Sequence, residues 1–221
     1  VAGKAPARSR DPERRERILA AAADLIAKRG YLGVSLGDIG AAAGIVGSGV
    51  YRHFDGKMAI LVELFDRVVD RLITDAEVML RESGQPEMTL ASLVRGHVSF
   101  TLGERSLCEV YLQEARNLPD ADTRRLRWKQ RHYVDLWQDL LRSVHPQITS
   151  GEAQVRVHAA IAVIHSCLRY HAHVDEEALA GMLEASACQV LQITALGALH
   201  PAPIPLRDAT TAEERWSATE S

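Results

Sequence analysis

Apolar side chains recur every three or four positions through most of the chain, and no stretch alternates apolar and polar residues as a half-buried strand would. Ile18, Leu19, Ala22, Leu25 and Ile26 share one helical face. Asp11 stands before them as a cap, Pro12 takes the first helical position, and Lys28, Arg29 and Gly30 supply terminal cations and a stop. The pattern then predicts a short helix after Ser35 that carries Leu36, Ile39 and Ala43 and ends at Gly44. Gly47, Ser48 and Gly49 open a second short segment, Val50 to Phe54, which Asp55 and Gly56 close. From Lys57 a long amphipathic helix runs to about Ser83, with Ile60, Leu61, Leu64, Phe65, Val68, Leu72, Val78 and Met79 on its buried stripe. Gly84, Gln85 and Pro86 interrupt it. Further helices are expected near 89–103, 106–117, 120–145, 150–171 and 175–197, so the fold class is all-α.

Composition agrees with this pattern. The 221 residues are 47% hydrophobic and carry a net charge of only -3, enough to build a core and too apolar for wholesale disorder. Aromatic residues and prolines are few, which disfavours a β-sandwich or barrel. Cys108, Cys167 and Cys188 are far apart and form no metal-spaced pair. His165, Cys167, His171 and His173 cluster in sequence, but no carboxylate joins them at ligand spacing, so neither a metal nor a cofactor is expected. The beginning of the chain is polar and arginine-rich without an apolar core segment, and the longest uncharged stretch, Ala185 to Leu206, holds His, Gln and three prolines. The expectation is a cytoplasmic protein with no membrane partner.

Charge is unevenly spread. Residues 1–57 hold ten Lys and Arg against six Asp and Glu, whereas the remainder holds 16 against 23. A basic head on an acidic body suits a polyanionic partner. Four units are therefore expected: a disordered basic arm (1–10), a helix-turn-helix head (11–56), a larger helical body (57–199) and a flexible tail (200–221).

The head carries the most specific pattern. Two short helices joined by a tight glycine turn form a helix-turn-helix, whose second helix enters a DNA groove. Small residues at its start bring backbone N–H groups close to phosphates, and Tyr51, Arg52 and His53 follow within one turn. The glycines Gly44, Gly47 and Gly49 also suggest a nucleotide loop, but such a loop follows a strand and opens a long helix, and neither holds here.

Ser35, Ile39, Ala43, Gly44, Gly47, Val50, Tyr51, His53, Phe54 and Lys57, with Arg17, Ile18, Leu19, Ala22, Leu25, Ile26, Gly30 and Tyr31 before them, resemble the DNA-binding domain of the TetR family of transcriptional regulators over about residues 13–65. The resemblance implies phosphate contacts from Ser35, Tyr51, His53 and Lys57. It also implies a groove-facing segment of Gly47, Ser48, Gly49 and Arg52, and a helical ligand-binding and dimerisation domain downstream. Two positions depart from the family pattern. Val46 stands where a capping Ser or Thr is usual, and Gly40 replaces an alanine at a propensity cost of roughly 1 kcal/mol.

In the body, bulky apolar groups with a few convergent polar ones mark a small-molecule cavity. The candidates are His97, Phe100, Tyr111, Glu114, Arg127, Trp128, Arg131 and His132. Arg124, Arg125, Arg127 and Arg131 form either a solvated face or a clamp for an anion. The stretch from Tyr111 to Trp137 is loosely similar to the acyl-CoA-responsive branch of the family. The last two helices carry small apolar strips suited to a two-fold pairing that would set two heads about 34 Å apart. The expected function is a homodimeric regulator, most simply a repressor, that binds a palindromic double-stranded operator and is released by a small-molecule effector. The alternative is a small helical enzyme with His97 or His132 as its base.

Overall fold

The computed structural model describes residues 12–45, 47–82, 84–169 and 173–196. The expected arm (1–10), the expected tail (200–221), and Asp11, Val46, Ser83 and His171 lie outside the described residues. Eight α-helices follow one another: α1 (Pro12–Arg29), α2 (Leu36–Ala42), α3 (Lys57–Glu82), α4 (Pro86–Gly103), α5 (Arg105–Glu114), α6 (Asp120–Val144), α7 (Ser150–His165) and α8 (Glu176–Leu191). Three 3-10 segments, Gly47–Arg52, Ala115–Asn117 and Ser166–Leu168, connect or extend them. No strand occurs among the described residues. None of the described helices is long and apolar enough to cross a membrane.

Two apolar cores organise the chain. The first joins Ile18, Ile26, Ile39, Val50, Phe54, Ile60 and Phe65 of the head, and it reaches Val110 on α5 and Leu126 on α6. The second packs Leu90, Val94, Trp137, Leu141, Ile164 and Leu191 of the body. Helix α3 is long enough to serve both: its first half packs into the head, and Leu72, Ile73 and Met79 flank the body core.

The termini of α2 follow from side-chain chemistry. Ser35 Oγ accepts from the Asp38 N–H at 3.1 Å, and the Ser35 N–H donates to the Asp38 carboxylate at 2.9 Å, a reciprocal capping box. At the other end Gly44 adopts φ +67°, and the Ile45 N–H donates back to the Gly40 carbonyl at 2.8 Å.

Several boundaries differ from expectation for definable reasons. Pro86 begins α4 rather than preceding it, because a proline at the first helical position gives up no hydrogen bond. α7 gives way at Ser166 to a 3-10 turn, and α8 ends at Leu191, where Gln192 takes a left-handed conformation at φ 57°. The apolar run continues past that cap through Ile193, Ala195 and Leu196, which hides the end of the helix in sequence. The second element of the head is six residues of 3-10 helix, not α-helix, consistent with two glycines in its first three positions. Gly40 has a packing reason: a Cβ there would stand 3.1 Å from both the Ile45 carbonyl oxygen and Val50 Cγ2. Its helix propensity is given up so that the 3-10 segment Gly47–Arg52 can lie against α2.

Nothing approaches within 4 Å of a Cβ built on Gly44, so only its backbone conformation demands glycine. Gly44→Ala should therefore destabilise the protein by about 1–2 kcal/mol in urea denaturation, with the helical circular dichroism of the folded state unchanged.

Candidate functional site

In the head, Val50 and Phe54 are buried, and this turns the residues between them outward. Tyr51 is 61% exposed, Arg52 is exposed and His53 is half-buried. The His53 Nδ1 is enclosed with no hydrogen-bond partner among the described residues. Gly47 and Gly49 open this turn, while the side chain of Ser48 lies outside what is described. A Cβ on Gly49 would come within 2.5 Å of Ile45 Cγ2, so the turn is seated on Ile45. Ser35, exposed at the start of α2, already engages its hydroxyl in the capping box.

Lys57, for which a phosphate contact is expected, is also engaged within the head. Its ammonium donates to the Tyr31 and Val34 carbonyls at 2.6 Å each and lies 4.2 Å over the Tyr31 ring. The first residue of α3 thus pins the loop between α1 and α2. Arg15, in the first turns of α1, is the matching clamp on the other side. Its guanidinium donates to the Glu63 carboxylate at 2.5 and 3.2 Å and to the His53 carbonyl at 3.0 Å, and sits 4.3 Å over the Phe54 ring. The exit of the turn Gly47–Arg52 is therefore held by a cation that also fastens α1 to α3.

The body encloses a cavity of about 480 Å³ between α3, α4, α5, α6 and α7. His97, Phe100, Tyr111, Arg127 and Arg131 line it as expected from sequence. Three candidates do not. Glu114 is buried at the joint with the head, where its carboxylate accepts the Tyr31 N–H at 2.9 Å and an Asn117 amide proton. Trp128 is 63% exposed and stacks on His132, whose Nε2 lies 3.6 Å from Glu77 on the outer surface of α3 and α6. Helical spacing could not tell these faces of α6 apart, because aromatic and charged residues occur on both.

Of the four arginines, Arg125 is paired with Asp66 and Asp122 at 2.9 Å. Arg127 and Arg131, exposed at the cavity rim, have no ion-pair partner among the described residues. Deeper in, His97 is 2% exposed, its Nδ1 lies 2.8 Å from the Tyr133 hydroxyl, and its Nε2 lies 3.0 Å from His165 Nε2. Sequence reading missed His165 as a cavity residue. Its position one helical turn beyond Ile161 on the same α7 face was the available signal. With both nitrogens of His97 engaged and His132 outside the cavity, neither is placed as a free base. Among the described residues no group of three or more His, Cys, Asp or Glu could hold a metal ion.

Burial pushes His97 down to about 3, with His165 adding to the effect, and burial pushes His165 down to about 4. Both rings are neutral in the fold, whereas in the unfolded chain they titrate near 6.5. Their contribution to stability is complete above that value and is lost as pH falls toward 4. Urea denaturation should show a loss on the order of 2 kcal/mol per ring between pH 7.5 and pH 5, and His165→Gln should remove about half of that loss.

Residues 18–64 match the family model for bacterial regulatory proteins of the tetR family, and residues 83–173 match the C-terminal domain model for tetracyclin repressor-like proteins. The two segments together cover more than half of the chain. The HTH-type transcriptional repressor KstR2 of Rhodococcus jostii is 30% identical over 105 residues, 48% of this chain and 52% of that protein. The chain spans about half the length of the curated relatives it matches. A TetR-family transcriptional regulator from Bordetella parapertussis superimposes with a TM-score of 0.73 at 25% identity, over 85% of this chain and 98% of that one. AibR, in a structure with isovaleryl coenzyme A and operator DNA, shares the fold with a TM-score of 0.69 at 20% identity, over 82% and 100% of the two chains. With a helix-turn-helix head, a helical body and both family models matched in that order, the chain belongs to the TetR family of bacterial regulatory proteins.

Proposed function

We propose that this chain is a ligand-responsive transcriptional repressor, which binds a palindromic double-stranded operator as a homodimer and leaves it when a small molecule fills the body cavity. The observation that carries the reading is the recognition turn. Val50 and Phe54 anchor it from below, and Tyr51 and Arg52 face outward with no partner among the described residues of the head. In this reading the head comprises about residues 11–56 and the body about 57–199. Tyr51 and His53 meet phosphates, Arg52 reads base edges, and the backbone of Gly47, Ser48 and Gly49 approaches the groove. Ser35 and Lys57 act chiefly by holding α2 and its preceding loop in place.

The exposed faces of α7 and α8 support the two-fold partner. Val155 is 69% exposed and Met182 43% exposed, and small residues such as Ala162, Gly181 and Ala185 lie exposed on the same two helices. Two copies meeting there would bury these apolar surfaces and present two recognition turns to one duplex. The effector is an acyl-CoA or another lipophilic molecule. Apolar cavity walls, and Arg127 and Arg131 at the rim without an ion-pair partner among the described residues, suit an anionic amphiphile, and AibR, a structural relative, is known with isovaleryl coenzyme A.

Selection from a random duplex library should return a palindrome, and fluorescence anisotropy should then give an affinity that falls steeply with salt. Tyr51→Phe and Lys57→Ala should each weaken that affinity roughly tenfold while sedimentation still reports a dimer. Binding without sequence preference, or unchanged in both variants, would count against the reading.

A further inference from the structure

Resting on the cavity as the effector site, we propose that His165 is a specificity-determining residue that donates a hydrogen bond to an uncharged acceptor oxygen, such as a ketone or ester carbonyl, on the apolar portion of the ligand. The argument is one of proton counting along Tyr133, His97 and His165. The Tyr133 side chain is buried, and His97 Nδ1 is the one hydrogen-bond partner of its hydroxyl among the described residues. The neighbouring indole N–H of Trp137 is enclosed without a hydrogen-bond partner among the described residues and is itself a donor, so it cannot take the phenol proton. The Tyr133 proton therefore goes to His97 Nδ1, because in the reverse arrangement the O–H, on a residue 6% exposed at the cavity wall, has no acceptor among the described residues.

The rest of the chain follows from neutrality. Burial keeps both imidazoles uncharged, so each carries one proton. His97, accepting at Nδ1, holds its proton on Nε2 and donates it to His165 Nε2 at 3.0 Å. His165, accepting at Nε2, holds its own proton on Nδ1. That atom has no hydrogen-bond partner among the described residues, and its residue lines the cavity. His165 thus offers the cavity it lines a neutral donor whose tautomer is fixed by the two residues behind it. A plain hydrocarbon laid against it leaves the N–H unpaired; an acceptor oxygen satisfies it. The cations Arg127 and Arg131 sit at the exposed rim instead, so an anionic group and the acceptor oxygen belong to different parts of one ligand.

The test uses the full chain and 8-anilinonaphthalene-1-sulfonate as a fluorescent occupant of the cavity. It is displaced by 4-butylacetophenone or by 1-butyl-4-isopropylbenzene, which has a methyl group in place of the carbonyl oxygen. The ketone should compete roughly tenfold or more better than the hydrocarbon, and His165→Phe, checked for folding by thermal melting, should bring the two within about threefold. Long-range ¹⁵N–¹H spectra of histidine-labelled protein should show His97 protonated at Nε2 and His165 at Nδ1, and Tyr133→Phe should release that preference. Equal competition by the two probes, a ketone preference that survives His165→Phe, or a His165 proton on Nε2 would overturn the assignment while leaving the regulator reading intact. Failure of the sulfonate to bind would remove the cavity as a ligand site, and with it both proposals.

Discussion

The carboxylate of Glu114 is the constraint on which the placement of the head depends. It is 7% exposed and accepts the backbone N–H of Tyr31 at 2.9 Å, a group that folding would otherwise bury without a partner at a cost of about 1–3 kcal/mol. Around it Val110, Leu118 and Leu126 extend the apolar core of the head into α5, the following turn and α6. The head is therefore not a bead on a linker. Its orientation is decided by a helix that also walls the cavity, since Tyr111, one residue from Val110, lines that cavity and packs edge-on against Phe65 at 5.1 Å.

Ion pairs refine what that joint sets. Arg67 grips the Glu16 carboxylate with two N–H groups at 2.5 and 2.7 Å and reaches Glu63 at 3.5 Å, while Arg15 holds Glu63 from the other side. On the opposite flank of α3, Lys129 bridges Asp66 and Asp70, and Arg125 shares Asp66. Most of these groups are partly exposed, so each pair adds little to stability, on the order of 1 kcal/mol or less. Their consequence is geometric: α3 is registered against α1 on one side and α6 on the other. Because Arg15 also binds the His53 carbonyl, that register extends to the recognition turn.

The fold was legible because helical periodicity, Ser35 as a cap and Gly30 and Gly44 as stops all act within one turn of the chain. Where several local rules agree, no tertiary information is needed. The outward turn of Tyr51 and Arg52 beside the half-buried His53 was legible for the same reason. Lys57 and Arg15 were not, because a charged residue near a helix start reads identically whether it faces solvent or two carbonyls 23 and 26 residues away. The cavity split along this line as well. Phe100 and Tyr111 announce themselves as bulky groups on helices, whereas Glu114 and His132 sit on helices whose inward face the local pattern does not single out. His165 acquires its role only from His97, 68 residues earlier, and no local pattern signals that meeting.

On the proposed reading, the path from cavity to head runs through α4 and α5 rather than through the cavity volume itself. A ligand that merely fills space present in both states shifts no equilibrium, since only a difference in affinity between them counts. The residues able to supply that difference touch the ligand and the head together. Tyr111 does so through Phe65. Phe100 does so differently: it faces the effector cavity on one side and, on the other, a second cleft of about 610 Å³ bordered by Glu16, Leu19, Ala20 and Ala23 of α1. Open space behind an aromatic wall lets the ring move without compressing a packed core, and motion toward α1 acts on the helix that Arg15 fastens to the recognition turn. Packed interiors favour discrete rearrangements of such walls over uniform strain, which is how a displacement at one ring can become a rotation of the whole head.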